Sequence, residues 1–176
     1  MVWVDKVSLF MANYIHKNVG KTPVNVLRYA LNDLINYMLF YLSVVLVGTI
    51  SGHFSESLIA PIMFSLLRRY SGGIHLSTSK RCTIASASMI LFSIYTPINY
   101  WYNGLILNAI SFMFICIFAP SGSHAPKELH NKFKVVSVLI VSANFFVCSP
   151  LLSKVFFIQA VTTIPWLQVA LNRYKI

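Results

Sequence analysis

Acidic side chains are scarce in this sequence. Its 176 residues include 4 Asp or Glu against 14 Lys or Arg, and charged residues make up only 10% of the total. Two tracts, residues 34–55 and 82–126, hold no Asp, Glu, Lys or Arg at all. With 57% apolar side chains and a mean hydropathy of +0.69, too few polar groups remain to cover a water-soluble globule. The chain therefore reads as an all-α integral membrane protein, expected as a single domain over residues 1–176.

Cysteine is equally sparse. Cys82, Cys116 and Cys148 show no paired spacing, and the last two lie within apolar runs, so neither a disulfide framework nor a metal site is indicated. No cofactor is expected. The net charge of +10 is not gathered on one polar face, as a nucleic-acid surface requires, but sits at the ends of apolar segments. Positive-inside topology accounts for it, and no nucleic-acid partner is expected. The first residues lack the basic, apolar and small-residue regions of a signal peptide, so the mature chain is expected to begin here. There is no internal repeat.

Residues 1–22 place Trp3, Val7, Phe10, Met11 and Tyr14 at helical spacing, with Lys6, Asn13 and Lys17 elsewhere on the wheel. This predicts an amphipathic helix, lying either on the membrane surface or on the bundle itself. Gly20 to Pro23 should end it, with Thr22 and Pro23 as cap and first residue of the next helix. Six spans are expected over about 31–50, 55–70, 82–96, 105–119, 135–152 and 155–171. Outer turns are expected at residues 51–56, with Ser55 capping the second span, at Asn103-Gly104, and at residues 149–154. Residues 120–134 form a basic loop. With both termini cytosolic, every Lys and Arg except Lys154 falls on the cytosolic side. Asp33 lies about one turn inside the first span, either as a functional group or, more economically, as an interfacial partner of Arg28.

The polar segment 68–82 is the exception to this apolar background. It carries Arg68, Arg69, Lys80 and Arg81, the pair Gly72-Gly73, His75 and Cys82. On one straight helix, His75 and Cys82 would lie about 10.5 Å apart along the axis, too far for an imidazole to reach a thiol. The segment must bend if they cooperate. Gly72-Gly73 frees the backbone before His75, while Ser77, Thr78 and Ser79 offer caps before Cys82. With Ser79 as the cap, Lys80, Arg81 and the sulfur share a helical first turn, an arrangement that favours thiolate over thiol. His75 would then serve as base or ion-pair partner. Asp33 and Glu56 are candidates for a third, orienting group. From spacing alone, the favoured reading of the pair is an inert packing cysteine and an interfacial histidine; Cys116 and Cys148 read as packing residues, and His53, His124 and His130 as loop residues.

The run Arg68-Arg69-Tyr70-Ser71-Gly72-Gly73-Ile74-His75, then six residues, then Cys82, resembles the accessory gene regulator B family of Gram-positive bacteria. The layout agrees over nearly the whole chain, including Ala119-Pro120 and the basic loop from Pro126-Lys127. The resemblance implies a cell-membrane cysteine endopeptidase of peptide quorum sensing, with His75 and Cys82 as catalytic pair. Its substrate would be an AgrD-like precursor peptide with an acidic C-terminal tail. Arg68, Arg69, Gly72 and Gly73, with Ser79, Lys80 and Arg81 beside the cysteine, would shape the site or hold that substrate. The tail would leave as Cys82 takes up the core as a thioester, from which an internal Cys or Ser closes a thiolactone or lactone. The alternative is a non-catalytic small exporter or scaffold subunit in the bilayer. The apolar surface of a small helical body leaves a homodimer open.

Overall fold

The computed structural model describes residues 2–20, 22–74, 76, 78–122 and 127–173, and the fold is helical throughout. Among the described residues, eight α-helices follow one another: α1 Val2–Val19, α2 Val24–Ile50, α3 Phe54–Ser71, α4 Ser79–Tyr95, α5 Leu105–Phe118, α6 His130–Val147, α7 Pro150–Thr162 and α8 Pro165–Arg173. A π-helical turn, Tyr100–Gly104, leads directly into α5, and a short 3-10 turn, Lys127–Leu129, leads into α6.

Contacts between loops sort α2 to α7 into an up-and-down bundle with two distinct ends. At one end, the Ser51 hydroxyl meets the Tyr95 hydroxyl, Lys154 Nζ donates to the Thr96 carbonyl at 2.5 Å, and Tyr100 donates to the Asn144 carbonyl at 3.1 Å. At the other end, the chain after α3 meets the chain after α5 and the last turn of α7. Arg68, Arg69, Lys80, Arg81, Lys132 and Lys134 gather at this second end, opposite Lys154.

Several boundaries differ from the sequence expectation. Asn103-Gly104 is not a turn: it is already helical, and the connection lies earlier, at residues 96–99. His53, not Ser55, stands at the start of α3, and Pro23 rather than Thr22 precedes α2. The fifth and sixth expected spans, α6 and α7, meet at Cys148-Ser149, so only the start of the turn expected at residues 149–154 is a turn. There Asn144 Oδ1 accepts the Ser149 N–H at 3.1 Å and Ser149 Oγ caps Leu152 N–H at 3.4 Å, with Pro150 ideally placed in the first turn. Lys154 is therefore helical. The segment expected to run 155–171 breaks at Thr163-Ile164, because the residue before Pro165 is pushed out of helical geometry and α7 stops. Residues 130–134 belong to α6, which shortens the basic loop. His124 and Pro126 lie outside the described residues.

α1 packs along the first turns of α2 through Val4, Ser8 and Ala12, all buried. Asp5 lies 3.9 Å from Arg28 and accepts from Asn32 at 3.2 Å. The stripe Trp3, Val7, Phe10, Met11 and Tyr14 points away from the bundle and is exposed. The packing on the bundle that the sequence offered as one reading is present, through small residues on one face, and the large apolar residues of the other face are exposed.

The same inversion runs through the bundle. Leu42, Leu46, Phe92, Ile106, Leu139 and Phe146 are exposed, while Asn36, Ser57, Asn108, Ser137, Asn144 and Gln159 are buried. Water-soluble monomers rarely expose so much contiguous apolar surface. Among the described residues, two helical stretches, Val24–Ile50 and Tyr100–Phe118, are long and apolar enough to cross a membrane, and Pro150–Thr162 is a shorter apolar helix.

Phe64, Leu67, Ile90, Ile115, Val141 and Phe156 form the apolar core. Beside it, Asn144 Nδ2 donates to Asn108 Oδ1 at 3.2 Å, Ser153 Oγ at 3.0 Å and the Ser149 carbonyl at 3.2 Å. This amide ties α5, α6 and α7 together. Truncating it strands its buried partners, at a cost of about 1–2 kcal/mol. Asn144→Ala should therefore lower the melting temperature of the detergent-solubilised protein by about 2–4 °C per kcal/mol. An unchanged melting curve would remove this network from the account of stability.

Candidate active site

The segment singled out in the sequence leaves α3 at Ser71 and re-enters a helix at Ser79, so the required bend is present. Gly72 has φ 69°, and a Cβ there would sit 1.9 Å from the Ser121 carbonyl oxygen. Gly73 has φ 136°, and a Cβ would meet Thr162 Oγ1 at 2.6 Å. Only glycine satisfies both demands at once: a backbone conformation that L side chains avoid, and contact with neighbouring chain on each side.

The contact is a clamp of hydrogen bonds. Ser121 N–H donates to the Ser71 carbonyl at 2.9 Å, and Gly73 N–H donates to the Ser121 carbonyl at 2.8 Å. On the other side, Ile74 N–H donates to the Thr162 carbonyl at 3.0 Å, and Gln159 Nε2 donates to the Gly72 carbonyl at 2.6 Å and Ser71 Oγ at 3.0 Å. The turn is thereby pinned to the end of α5 and the last turn of α7. Nonhelical backbone inside an apolar body needs such partners.

Cys82 lies in the first turn of α4, with its N–H donating to the Thr78 carbonyl at 3.1 Å. The cap is Thr78, whose Oγ1 accepts the Arg81 N–H at 3.4 Å, and not Ser79 as expected. The shift by one residue keeps the sulfur near the helix N-terminus, where unpaired N–H groups concentrate positive potential. Cys82 is half-buried and free of any disulfide, as are Cys116 and Cys148.

The cation at the sulfur comes from another helix. Arg68 Nη2, on the last turn of α3, donates to Cys82 Sγ at 3.5 Å and to the Ile74 carbonyl at 2.5 Å, with its guanidinium 5.8 Å from the centre of the Phe64 ring. Arg69 is exposed on the other side of that turn, which separates the roles of the two adjacent arginines. Lys80 and Arg81, expected beside the sulfur, are exposed on the first turn of α4 and line neither cavity at the cysteine. The difference is geometric, since successive residues of a helix point about 100° apart. His75 lies outside the described residues.

Two cavities meet at Cys82, with Arg68, Leu76 and Ser86 common to both. One, of about 900 Å³, runs between α4 and α7. The other, of about 380 Å³, is lined by Tyr29, Asp33, Asn36 and Tyr37 of α2 and by Ser65, Ser79 and Thr83. Asp33 thus faces the cysteine pocket, while Arg28 lies near Asp5. Glu56, in the first turn of α3, is at the far end of that helix from Arg68. Sequence reasoning passed over Ser121, Gln159 and Thr162. A usable signal was present at Gln159, a lone amide in the apolar run of α7, because polar groups in such runs are retained for a structural or chemical reason.

With this geometry established, the sequence profile described as Accessory gene regulator B matches residues 8–171. The chain belongs to the accessory gene regulator B family. An AgrB-like protein of Clostridium perfringens (strain 13 / Type A) is 29% identical, over 76% of this chain and 76% of its own length. No solved structure matches the chain. Membership in the accessory gene regulator B family carries a role in the corresponding quorum-sensing system, where members act at the membrane in processing an AgrD-like precursor peptide.

Two substitutions check the geometry described here. Arg68→Ala should slow alkylation of Cys82 by iodoacetamide about tenfold, the effect expected on removing a cation in contact with an attacking sulfur. Arg69→Ala should leave the rate within about twofold, as befits an exposed charge. Equal rates in the two variants would contradict the assignment of Arg68 to the sulfur.

Proposed function

We propose that the protein is a membrane-embedded cysteine endopeptidase that removes the C-terminal tail of an AgrD-like precursor peptide and promotes cyclisation of the core. The observation that carries this reading is the contact of Arg68 with Cys82 Sγ, at a helix N-terminus and at the junction of two cavities. A sulfur anion has a counter-charge there, and a peptide has room on either side of it. His75 follows directly on the clamped turn and supplies the base.

In the first step, His75 takes the thiol proton and Cys82 Sγ attacks the carbonyl carbon at the junction of core and tail. The tetrahedral intermediate collapses, the C–N bond breaks, and the tail leaves as an amine carrying the proton from His75. Arg68, close to the sulfur, is suited to meet negative charge as it develops on the carbonyl oxygen. The core remains as a thioester. A thiol or hydroxyl within the peptide then attacks that carbonyl, the C–S bond breaks, and Cys82 is regenerated as the ring is released. Exchange of one thioester for another is nearly balanced in energy, so proximity and exclusion of water direct the outcome. Asp33, lining the polar cavity, is the third group suited to orient His75.

In the bilayer, α2 to α7 serve as six crossings with both termini cytosolic. The apolar outer surface, the small polar residues inside and the concentration of cations at one end support this arrangement. α7, with 13 residues, spans about 20 Å, and α8 then lies along the cytosolic face. The cytosolic cations Arg69, Lys80 and Arg81 suit an acidic tail.

Cys82→Ala and His75→Ala should each abolish precursor cleavage in membranes while the protein still inserts at wild-type level, read by immunoblot of the membrane fraction. Cleavage retained by either variant would sink the mechanism.

A further inference from the structure

The buried face of α2 is a single line, Asn36, Phe40, Val44 and Gly48, each four residues from the next. Phe40 and Val44 belong to the apolar core, and a Cβ at Gly48 would meet Ser57 Cβ at 2.2 Å, so these three have packing roles. Asn36 is different. Its side chain, on a residue only 9% exposed, lines the smaller cavity at Cys82 together with Asp33, Ser79 and Thr83.

The other buried amides described above join helices, as Asn144 and Gln159 do, but the bonds of Asn36 stay within α2. Its Nδ2 donates to the Asn32 carbonyl at 2.9 Å and to Asn32 Oδ1 at 3.2 Å. Only a nitrogen can face that carbonyl, so the amide has one orientation, with its acceptor, Oδ1, turned away from Asn32. Asn32 is itself fixed from α1, because its Nδ2 donates to Asp5 Oδ1 at 3.2 Å and its Oδ1 is thereby left to receive Asn36. Among the described residues, none donates to Asn36 Oδ1.

An acceptor held rigid in a cavity wall, with most of its water removed, is costly unless a donor meets it. Every peptide carries such a donor in its backbone N–H. The Ser79 and Thr83 hydroxyls of the same wall can turn to donate or accept, whereas the Asn36 amide is set to accept. We infer that Asn36 is a substrate-binding residue: its Oδ1 accepts one backbone N–H of the peptide attached at Cys82, and Asn32 and Asp5 hold the amide in position for it. A bond to the backbone sets the depth of the peptide chain, and so the place of its carbonyl against Sγ, whatever its side chains. The inference rests on Cys82 as the nucleophile.

Two series of alkylating probes test it without the natural precursor. N-acetyl-Ala-Ala-Ala chloromethyl ketone extends from the sulfur as an acyl part would, and iodoacetyl-Ala-Ala-Ala amide as a leaving part would. In each, Sγ gives up its proton and bonds to the methylene carbon as chloride or iodide departs with the electron pair. Each probe is made unmethylated and with a single N-methyl group at each alanine in turn. Adducts at Cys82 are followed by mass spectrometry on the full-length protein in membrane vesicles. Every rate is divided by that of iodoacetamide on the same protein, so that changes in sulfur reactivity cancel.

One N-methyl position should slow the wild type about tenfold, the effect of losing a hydrogen bond to a buried acceptor. Asn36→Leu should react about tenfold more slowly with the unmethylated probe of that series and be indifferent to that methyl group, because both changes remove one interaction. Asn32→Ala, which keeps Asn36 but frees its amide, should reduce the methyl effect to about threefold, and it keeps the inference testable if Asn36→Leu does not fold. The inference is overturned if no N-methyl group slows either series, or if the slowing persists in full in Asn36→Leu or, where that variant does not fold, in Asn32→Ala. Failure of iodoacetamide and both series to modify Cys82 would instead overturn the nucleophile itself.

Discussion

Backbone polar groups that leave a helix inside an apolar body must find partners, and the connection between α3 and α4 is built around that requirement. Ser71, Gly72, Gly73 and Ile74 each have a backbone group bonded to Ser121, Thr162 or Gln159. The loop after α5 and the end of α7 therefore form the two jaws of a clamp that holds the stretch entering the site. Because the jaws come from helices far apart in sequence, assembly of the bundle and definition of the site are one event. The glycines are the consequence: a side chain at either position would collide with a jaw.

The clamp also explains why the sulfur is met by a guanidinium from α3. Arg68 precedes the turn by a few residues, and the chain doubles back so that its side chain spans from the Ile74 carbonyl to Cys82 Sγ. The arginine thereby closes the connection and supplies charge at the reactive group. Phe64, one turn earlier on the same helix, offers its ring to the guanidinium. Both acceptors are served by the single nitrogen Nη2, through its two N–H groups.

The interior of the bundle follows a different logic from that of a soluble core. Its outer surface is hydrocarbon, so burial of large apolar side chains gains little, and amides and hydroxyls packed between helices supply specificity. Asn144 and Asn108 join three helices, and Gln159 joins α7 to the clamp. Gln159 Oε1, alone among the buried side-chain nitrogen and oxygen atoms of the described residues, lacks a hydrogen-bond partner. Its amide group is committed to Ser71 and Gly72 through nitrogen, so the oxygen faces the packed interior as the cost of that commitment.

Much of this was legible in the residues themselves. Long tracts without charge marked the apolar helices, and the periodicity of residues 1–22 marked α1. Gly72-Gly73 and the hydroxyl run before Cys82 marked a break between two helices, and it is there. These are local features, governed by backbone preference and by the cost of charge in hydrocarbon. Tertiary structure decided which cation reaches the sulfur, which residues form the jaws, where the run after Val155 is broken, and that Asp33 faces the cysteine pocket. Such questions turn on the rotation and depth of one helix against another. Spacing along the chain carries no record of that contact, because a helix repeats every 3.6 residues on any side and only its neighbours distinguish one side from the next.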